Sequence, residues 1–240
     1  MRDIIEGIAF DLDGTLYPNY RLNIRLLPFI LKEWRFLSAF GKTRQIIRKE
    51  QETNFILHSD FYQYQAEILE SVSKISGTRK SSQSNKNSAE NIKEKADRLI
   101  YRGWEPLFKK IKLFKNVKET LSAFKKAGLK MGLLSDFPPE TKLKYLNIDS
   151  YWDAVLCSEC CGSLKPHPLS FIKLAQVMKL PCSSILYVGN SHPYDVAGAA
   201  AAGMKTAWIK SPFIPNNVKK RPKPDFSFHS YRQLHDFVLN

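Results

Sequence analysis

The sequence predicts an α/β protein: a doubly wound, Rossmann-like parallel-sheet core interrupted by an inserted helical segment. Three observations predict it. From Phe114 onward, short apolar runs alternate with helix-length segments of 3.6-residue periodicity, the pattern of strands and crossover helices. The first apolar run, Ile4 to Phe10, stands alone near the N-terminus and ends in Asp11-Leu12-Asp13-Gly14-Thr15-Leu16. Between these two regions, residues 20–75 carry helical spacing.

In chain order, the first strand is expected to end near Asp11. Arg21 to Phe40, Lys42 to Leu57 and Phe61 to Ile75 read as three helices. Ser76 to Ser88 is Ser-, Asn- and Lys-rich with no apolar side chain, and is expected to be an exposed, mobile loop. Helix resumes from Ala89 to about Tyr101. Asn116 is placed to cap a helix that runs through Lys126 and closes at Gly128. A strand over Leu129 to Leu134 ends at Ser135, and a helix follows from Pro139 to Leu146. Strands at Ala154–Cys157, Ile185–Val188, Lys205–Ile209 and Asp225–Phe228 alternate with helices at Pro168–Lys179, Tyr194–Ala202 and Tyr231–Leu239. Ligands of such folds sit at the carboxyl ends of the strands, where Asp11, Ser135 and Gly189 fall.

Composition narrows the class. An apolar fraction of 43% in 240 residues suits a folded chain with a sizeable core. Four cysteines, three of them clustered, make no disulfide framework, which fits a reducing cytoplasm. No signal peptide is expected, because the first apolar run carries Glu6 and ends in acids. The most apolar later stretch, Leu26 to Phe40, is broken by Lys32, Glu33 and Arg35, so no membrane span is expected. The net charge of +14 is spread along the chain and favours anionic ligands. Lys219-Lys220-Arg221-Pro222-Lys223 lacks interleaved aromatics, and reads as a solvated connector rather than a nucleic-acid patch.

The acidic pair carries the chemistry. Two carboxylates at a strand end repel each other unless a cation or a shared proton relieves them. Asp11 to Leu16 matches D-x-D-G-T-L in full; Gly132-Leu-Leu-Ser135 is an apolar strand ending in a hydroxyl; Ser163-Leu-Lys165-Pro166 supplies a lysine before proline; and Leu186-Tyr-Val-Gly189-Asn190 leads on to Asp195. On these four motifs in order, the chain resembles the haloacid-dehalogenase-like superfamily, in its phosphatase branch. The resemblance covers the whole chain. It implies residues 1–16 and 106–240 as the catalytic core and 17–105 as a helical cap inserted after the first motif.

By that resemblance, Asp11 is the nucleophile forming an aspartyl-phosphate, and Asp13 is the acid and base. Ser135 and Lys165 bind the phosphoryl group. A Mg²⁺ cofactor would be held by Asp11, Asp13 (through its backbone carbonyl), Asn190 and Asp195. Such a site answers a physical need, since a carboxylate attacking an anionic ester requires positive charge around phosphorus. Asn190 departs from the family's usual acid and removes one negative charge from the metal site, which Asp195 can offset. The acid at Asp13 points to phosphate esters rather than halides, because a halide leaves without a proton. The expectation is a magnesium-dependent phosphatase of a small phosphorylated metabolite. The alternatives are a sugar-phosphate mutase, or a catalytically weak anion-binding member. Tyr17, Asn19, Tyr20, Arg21 and Arg25 lie near the hinge of the insertion. Cys157, Cys160 and Cys161 offer one Cys-x-x-Cys pair where structural zinc needs two, so a packed thiol cluster sensitive to oxidation is expected there. His167 and His192 fall in two of the site loops.

Overall fold

The computed structural model describes residues 5–53, 58, 60–75, 88–211 and 222–240. The expected loop at 76–88, apart from the start of a helix at Ser88, and the basic residues Lys219 to Arg221 lie outside the described residues.

In chain order the elements are β1 (Gly7–Phe10), α1 (Asn19–Thr53), α2 (Phe61–Ile75), α3 (Ser88–Ala96), α4 (Val117–Lys126), β2 (Lys130–Ser135), α5 (Glu140–Leu146), β3 (Ala154–Cys157), α6 (Pro168–Met178), β4 (Ile185–Gly189), α7 (Ala197–Ala201), β5 (Lys205–Ile209), β6 (Phe226–Phe228) and α8 (Tyr231–Leu239). The six strands form one sheet in the order β3-β2-β1-β4-β5-β6, and every pairing is parallel. The chain winds outward from β1 to β3, then crosses to β1's other side at β4. That reversal opens a crevice beyond the ends of β1 and β4, where Asp11 and Asn190 follow the last strand residues.

Strand alternation divides the core. Ile8 and Phe10 face a cluster with Leu121, Phe124, Leu133, Val188 and Leu234. Ala9, between them, faces Phe171, Leu174, Met178 and Tyr187. On this second face α6 lies close to the sheet, and a Cβ on Gly132 would stand 2.5 Å from Met178 Sδ. A larger residue there would push the Met178 side chain aside. The inserted helices bury their own cluster, in which Phe40 of α1, Leu69 of α2 and Ile92 of α3 meet Ile100.

Three expectations change. Arg21–Phe40 and Lys42–Leu57 do not part at Gly41: the chain stays helical there and on to Thr53, and the break falls instead at Glu33, whose φ −114°, ψ 22° is not helical, so that α1 is two helices joined at a kink. Residues 54–57 lie outside the described residues. Asn116 precedes α4 in a left-handed conformation (φ 65°) and its side chain makes no capping hydrogen bond. A capping side chain works from extended backbone, which Asn116 does not have. Finally, His192–Val196 is a wide π turn and α7 begins only at Ala197. Pro193 has no N–H to donate, and the first turn closes instead from Asp195 N to Ser191 O at 2.7 Å.

Candidate active site

The backbone after β1 is fixed by its neighbours before any side chain acts. Asp11 N–H donates to Val188 O at 2.9 Å, Tyr231 Oη donates to Thr15 O at 2.7 Å, and Phe114 N–H donates to Leu16 O at 3.0 Å. Gly14 turns the chain with φ +91°, and a Cβ there would stand 2.3 Å from Asn190 Nδ2 and 2.4 Å from Asn19 Nδ2. The Asp-x-Asp-Gly-Thr order is therefore a backbone requirement as well as a chemical one.

β1 ends at Phe10, so the two acids diverge. Asp11 turns inward, with Oδ1 accepting from Lys165 Nζ at 2.7 Å and Oδ2 from Thr15 Oγ1 at 2.7 Å. Asp13 curls outward. Its carboxylate takes Lys142 Nζ of α5 at 2.8 and 3.0 Å, and accepts a hydrogen bond from Tyr17 Oη. Burial of Tyr17, and then the Asp13 charge, raise the phenol's pKa well above its ordinary value, so it stays a donor.

Lys165 is buried at 3% exposure and holds two carboxylates, with Asp195 Oδ1 also at 2.7 Å. Tyr187 Oη and Leu134 O complete its surroundings at 3.4 and 3.5 Å. Burial opposes the ammonium, but Asp11 and Asp195 carry its pKa well above the ordinary value. Lys165 is thus a permanent cation. Asp11 moves the other way. Desolvation first, then the Asp195 charge, push it up to about 7 from an ordinary 3.8, against the pull of Lys165. One ammonium between two buried carboxylates does not fully neutralise both.

Ser135 ends β2 fully buried, its Oγ accepting from Phe137 N–H at 3.3 Å. Asn190 follows β4 and is anchored through its carbonyl by Trp208 Nε1 at 2.9 Å. Asn190 Oδ1 lies 3.4 Å from Thr15 Oγ1. That hydroxyl has one proton, and Asp11 Oδ2 is the closer acceptor. Two hard oxygens therefore converge on a single donor, leaving Asn190 Oδ1 short of one. This all-oxygen donor set of low charge, Asp11 Oδ2 and Asn190 Oδ1, fits a magnesium ion, which keeps several of its waters. Among the described residues no group of three or more His, Cys, Asp or Glu side chains is arranged to hold a metal. Asp195 does not complete one. Its Oδ1 is taken by Lys165 and its Oδ2 by Ser191 N–H at 2.8 Å, because the π turn draws it beneath the loop. In this arrangement Asp195 is the counter-ion to Lys165.

Several site residues were not singled out from the sequence. Asp136, next to Ser135, binds Lys165 N–H at 3.2 Å, Arg48 Nη2 at 2.8 Å and Arg44 Nη2 at 3.2 Å. Burial acts against its charge, yet Arg44, Lys165 and Arg48 hold its pKa below the ordinary carboxylate value. Arg44 also pairs with buried Glu159, which accepts from Tyr101 Oη at 2.9 Å. Arg48 Nε donates to Lys165 O at 2.8 Å, and Gln51 bonds Leu164 N–H and Gly162 O. Helix α1 therefore grips the Lys165 loop with three side chains at positions 44, 48 and 51. The i, i+4, i+7 spacing of Arg44, Arg48 and Gln51, which puts three polar side chains on one helix face, was the available signal. Of the hinge residues, Tyr17 reaches Asp13 and Asn19 abuts Gly14, whereas Tyr20 is 58% exposed. His167 caps α6 by accepting from Leu169 N–H, and His192 bonds Pro222 O at 2.9 Å. Both histidines shape loops.

A family model described as haloacid dehalogenase-like hydrolase matches residues 5–203. The chain belongs to this family. It is 31% identical over 126 residues to a putative pyrophosphatase PpaX of Caldanaerobacter subterraneus subsp. tengcongensis, covering 51% of this chain and 57% of that protein. It is 29% identical over 124 residues to a pyrophosphatase PpaX of Bacillus cereus, covering 50% and 57%. The matches thus span little more than half the length of these relatives. Among solved structures, a HAD phosphatase from Thermococcus onnurineus superposes with a TM-score of 0.61 at 21% identity, over 98% of both chains. A dehalogenase with an intermediate complex superposes at 0.67 and 18% identity over the whole of both. These likenesses show the fold.

Proposed function

We propose that this protein is a hydrolase that cleaves a small phosphate ester or anhydride through attack by the Asp11 carboxylate on phosphorus. The observation that carries the reading is the position of Asp11. It is a buried carboxylate at a strand end, held at both oxygens by Lys165 and Thr15 and positioned to face the crevice. Breaking a P–O bond by a carboxylate forms an acyl phosphate on Asp11, which water then hydrolyses. Lys165 offsets the charge that builds up as two anions approach, and Ser135 Oγ donates its proton to a phosphoryl oxygen. Asp13 delivers a proton to the leaving oxygen and takes one from the attacking water. For this it must exchange its Lys142 and Tyr17 contacts for the substrate, and Lys142 is then free to meet an anionic leaving group. Asp11, Asn190 and the Asp13 carbonyl would hold Mg²⁺, which supplies positive charge to the phosphoryl oxygens when bound.

Helices α1 to α3, within 17–105, would act as the cap, excluding water and touching the leaving group. A cavity of about 210 Å³ lined by Tyr101, Trp104, Phe108, Phe137 and Lys142 supports this, because Lys142 joins it to Asp13. Such a volume suits a small substrate, and the names of the PpaX relatives put inorganic pyrophosphate on the panel. The four cysteines, all free, suit a reducing cytoplasm. The test is phosphate release across metabolites and pyrophosphate with Mg²⁺, using Asp11→Asn as control. Release by wild type alone is expected. Release by neither protein, equal release by both, or isomerisation of a sugar phosphate without release would overturn the proposal.

A further inference from the structure

Beside the site, at the end of β3, a second reactive centre uses none of the groups assigned to hydrolysis. Cys157 closes β3 and is 3% exposed, with its Sγ donating to Asp136 O at 3.5 Å. The chain then turns through Glu159–Cys161, so that Cys160 N–H donates to Cys157 Sγ at 3.4 Å. The Cys157 sulfur therefore lies against the backbone of Cys160. Cys160 is exposed, and Tyr62 Oη of α2 stands 3.6 Å from its Sγ. Among the described residues no group of three or more His, Cys, Asp or Glu side chains includes the pair.

We propose that Cys160 and Cys157 form a peroxide-reactive dithiol, with Cys160 as the attacking thiol and Cys157 as the resolving one. The Cys160 thiolate attacks a hydroperoxide oxygen, so that an S–O bond forms, the O–O bond breaks, and water or an alcohol leaves after protonation. The Cys157 sulfur then attacks the sulfenic acid, and its proton leaves with the hydroxyl group as water. The two thiols are oxidised by two electrons and the hydroperoxide is reduced by two. The surroundings assign the roles. The neighbouring Cys157 thiol, helped by Tyr62 and opposed by burial and by Glu140, lowers Cys160 to about 6. Cys160 and burial raise Cys157.

Rate alone is a poor readout. A thiol near pKa 6 is almost wholly ionised at pH 7, against a few per cent for an ordinary thiol, roughly thirty-fold more thiolate. Its intrinsic nucleophilicity is lower by about ten- to twenty-fold, which cancels most of the gain. The decisive measurements are therefore pairing and pH midpoint. Full-length protein is treated with hydrogen peroxide and mapped by mass spectrometry, and its iodoacetamide alkylation is followed from pH 4 to 10. A loss of two hydrogens with a Cys157–Cys160 crosslink is expected, with a sulfenic acid trapped at Cys160 in Cys157→Ser. The alkylation midpoint of Cys160 is expected near 6, rising by at least half a pH unit in Tyr62→Phe. A crosslink through Cys161 or Cys182, no crosslink, or a Cys160 midpoint above 8 would overturn the proposal. None of these readouts uses phosphate release, so this inference and the proposed function fail separately.

Discussion

Replacing Asn190 by Asp restores the acid that this site lacks, and its effect can be worked from two contacts. Thr15 Oγ1 is 2.7 Å from Asp11 Oδ2 and 3.4 Å from Asn190 Oδ1. The two side-chain oxygens are thus no more than about 6 Å apart. Two unit charges at ~6 Å and an effective dielectric of ~20 repel by roughly 2.7 kcal/mol. In the absence of metal, that is about two further pKa units on Asp11, from about 7 towards ~9. With a divalent cation between the oxygens the same charge becomes attractive, and each ~1.4 kcal/mol retained tightens binding tenfold. N190D should therefore lower the half-saturating Mg²⁺ concentration at least tenfold in a phosphate-release titration. Calorimetry of Mg²⁺ binding without substrate should show the same shift. An unchanged or weaker Mg²⁺ response in both assays would refute the placement of residue 190 at the metal.

Three further outcomes follow from the charges around Lys165 and α1. Because Asp11 binds its proton more tightly folded than unfolded, the folded state holds more protons between pH 3.8 and about 7, and stability falls as pH rises through that window. Asp11→Asn removes that loss, worth up to ~4 kcal/mol, so its Tm at pH 8 should exceed wild type; a lower Tm would contradict the burial argument. Lys165→Met leaves Asp11 and Asp195 buried without their shared cation and should cost about 3–5 kcal/mol in urea unfolding. Adding Asp195→Asn should recover part of it, and no recovery would contradict Asp195's place as counter-ion. Arg44→Met strands Glu159, which is 1% exposed. A comparable destabilisation should result, partly relieved by Glu159→Gln; equal stability of Arg44→Met and wild type would show that the pair does not hold α1 to the Lys165 loop.

The sequence carried the architecture because its signals are local. β3, β5 and α8 fall at their expected bounds, where apolar runs meet turn residues on both sides. Asp11 and Lys165 were legible because each sits in a motif whose backbone requirements the chain meets, and the structure brings them together at 2.7 Å. What was not legible depends on pairings distant in sequence. Asp136 follows Ser135 directly but gains meaning only when Arg44 and Arg48 arrive from some ninety residues away. The role of Asp195 turned on a π turn that no periodicity announces, and that of Asp13 on Lys142, one of many lysines on a basic chain.

The central claim is that Asp11 itself takes the phosphoryl group. Wild-type protein mixed with a turnover substrate identified by phosphate release, such as inorganic pyrophosphate, can be quenched in acid within milliseconds and digested for mass spectrometry. The account predicts a hydroxylamine-sensitive phosphoryl group on the peptide containing Asp11, absent from Asp11→Asn. Rapid turnover with no label on that peptide, or with label on another residue, would contradict it.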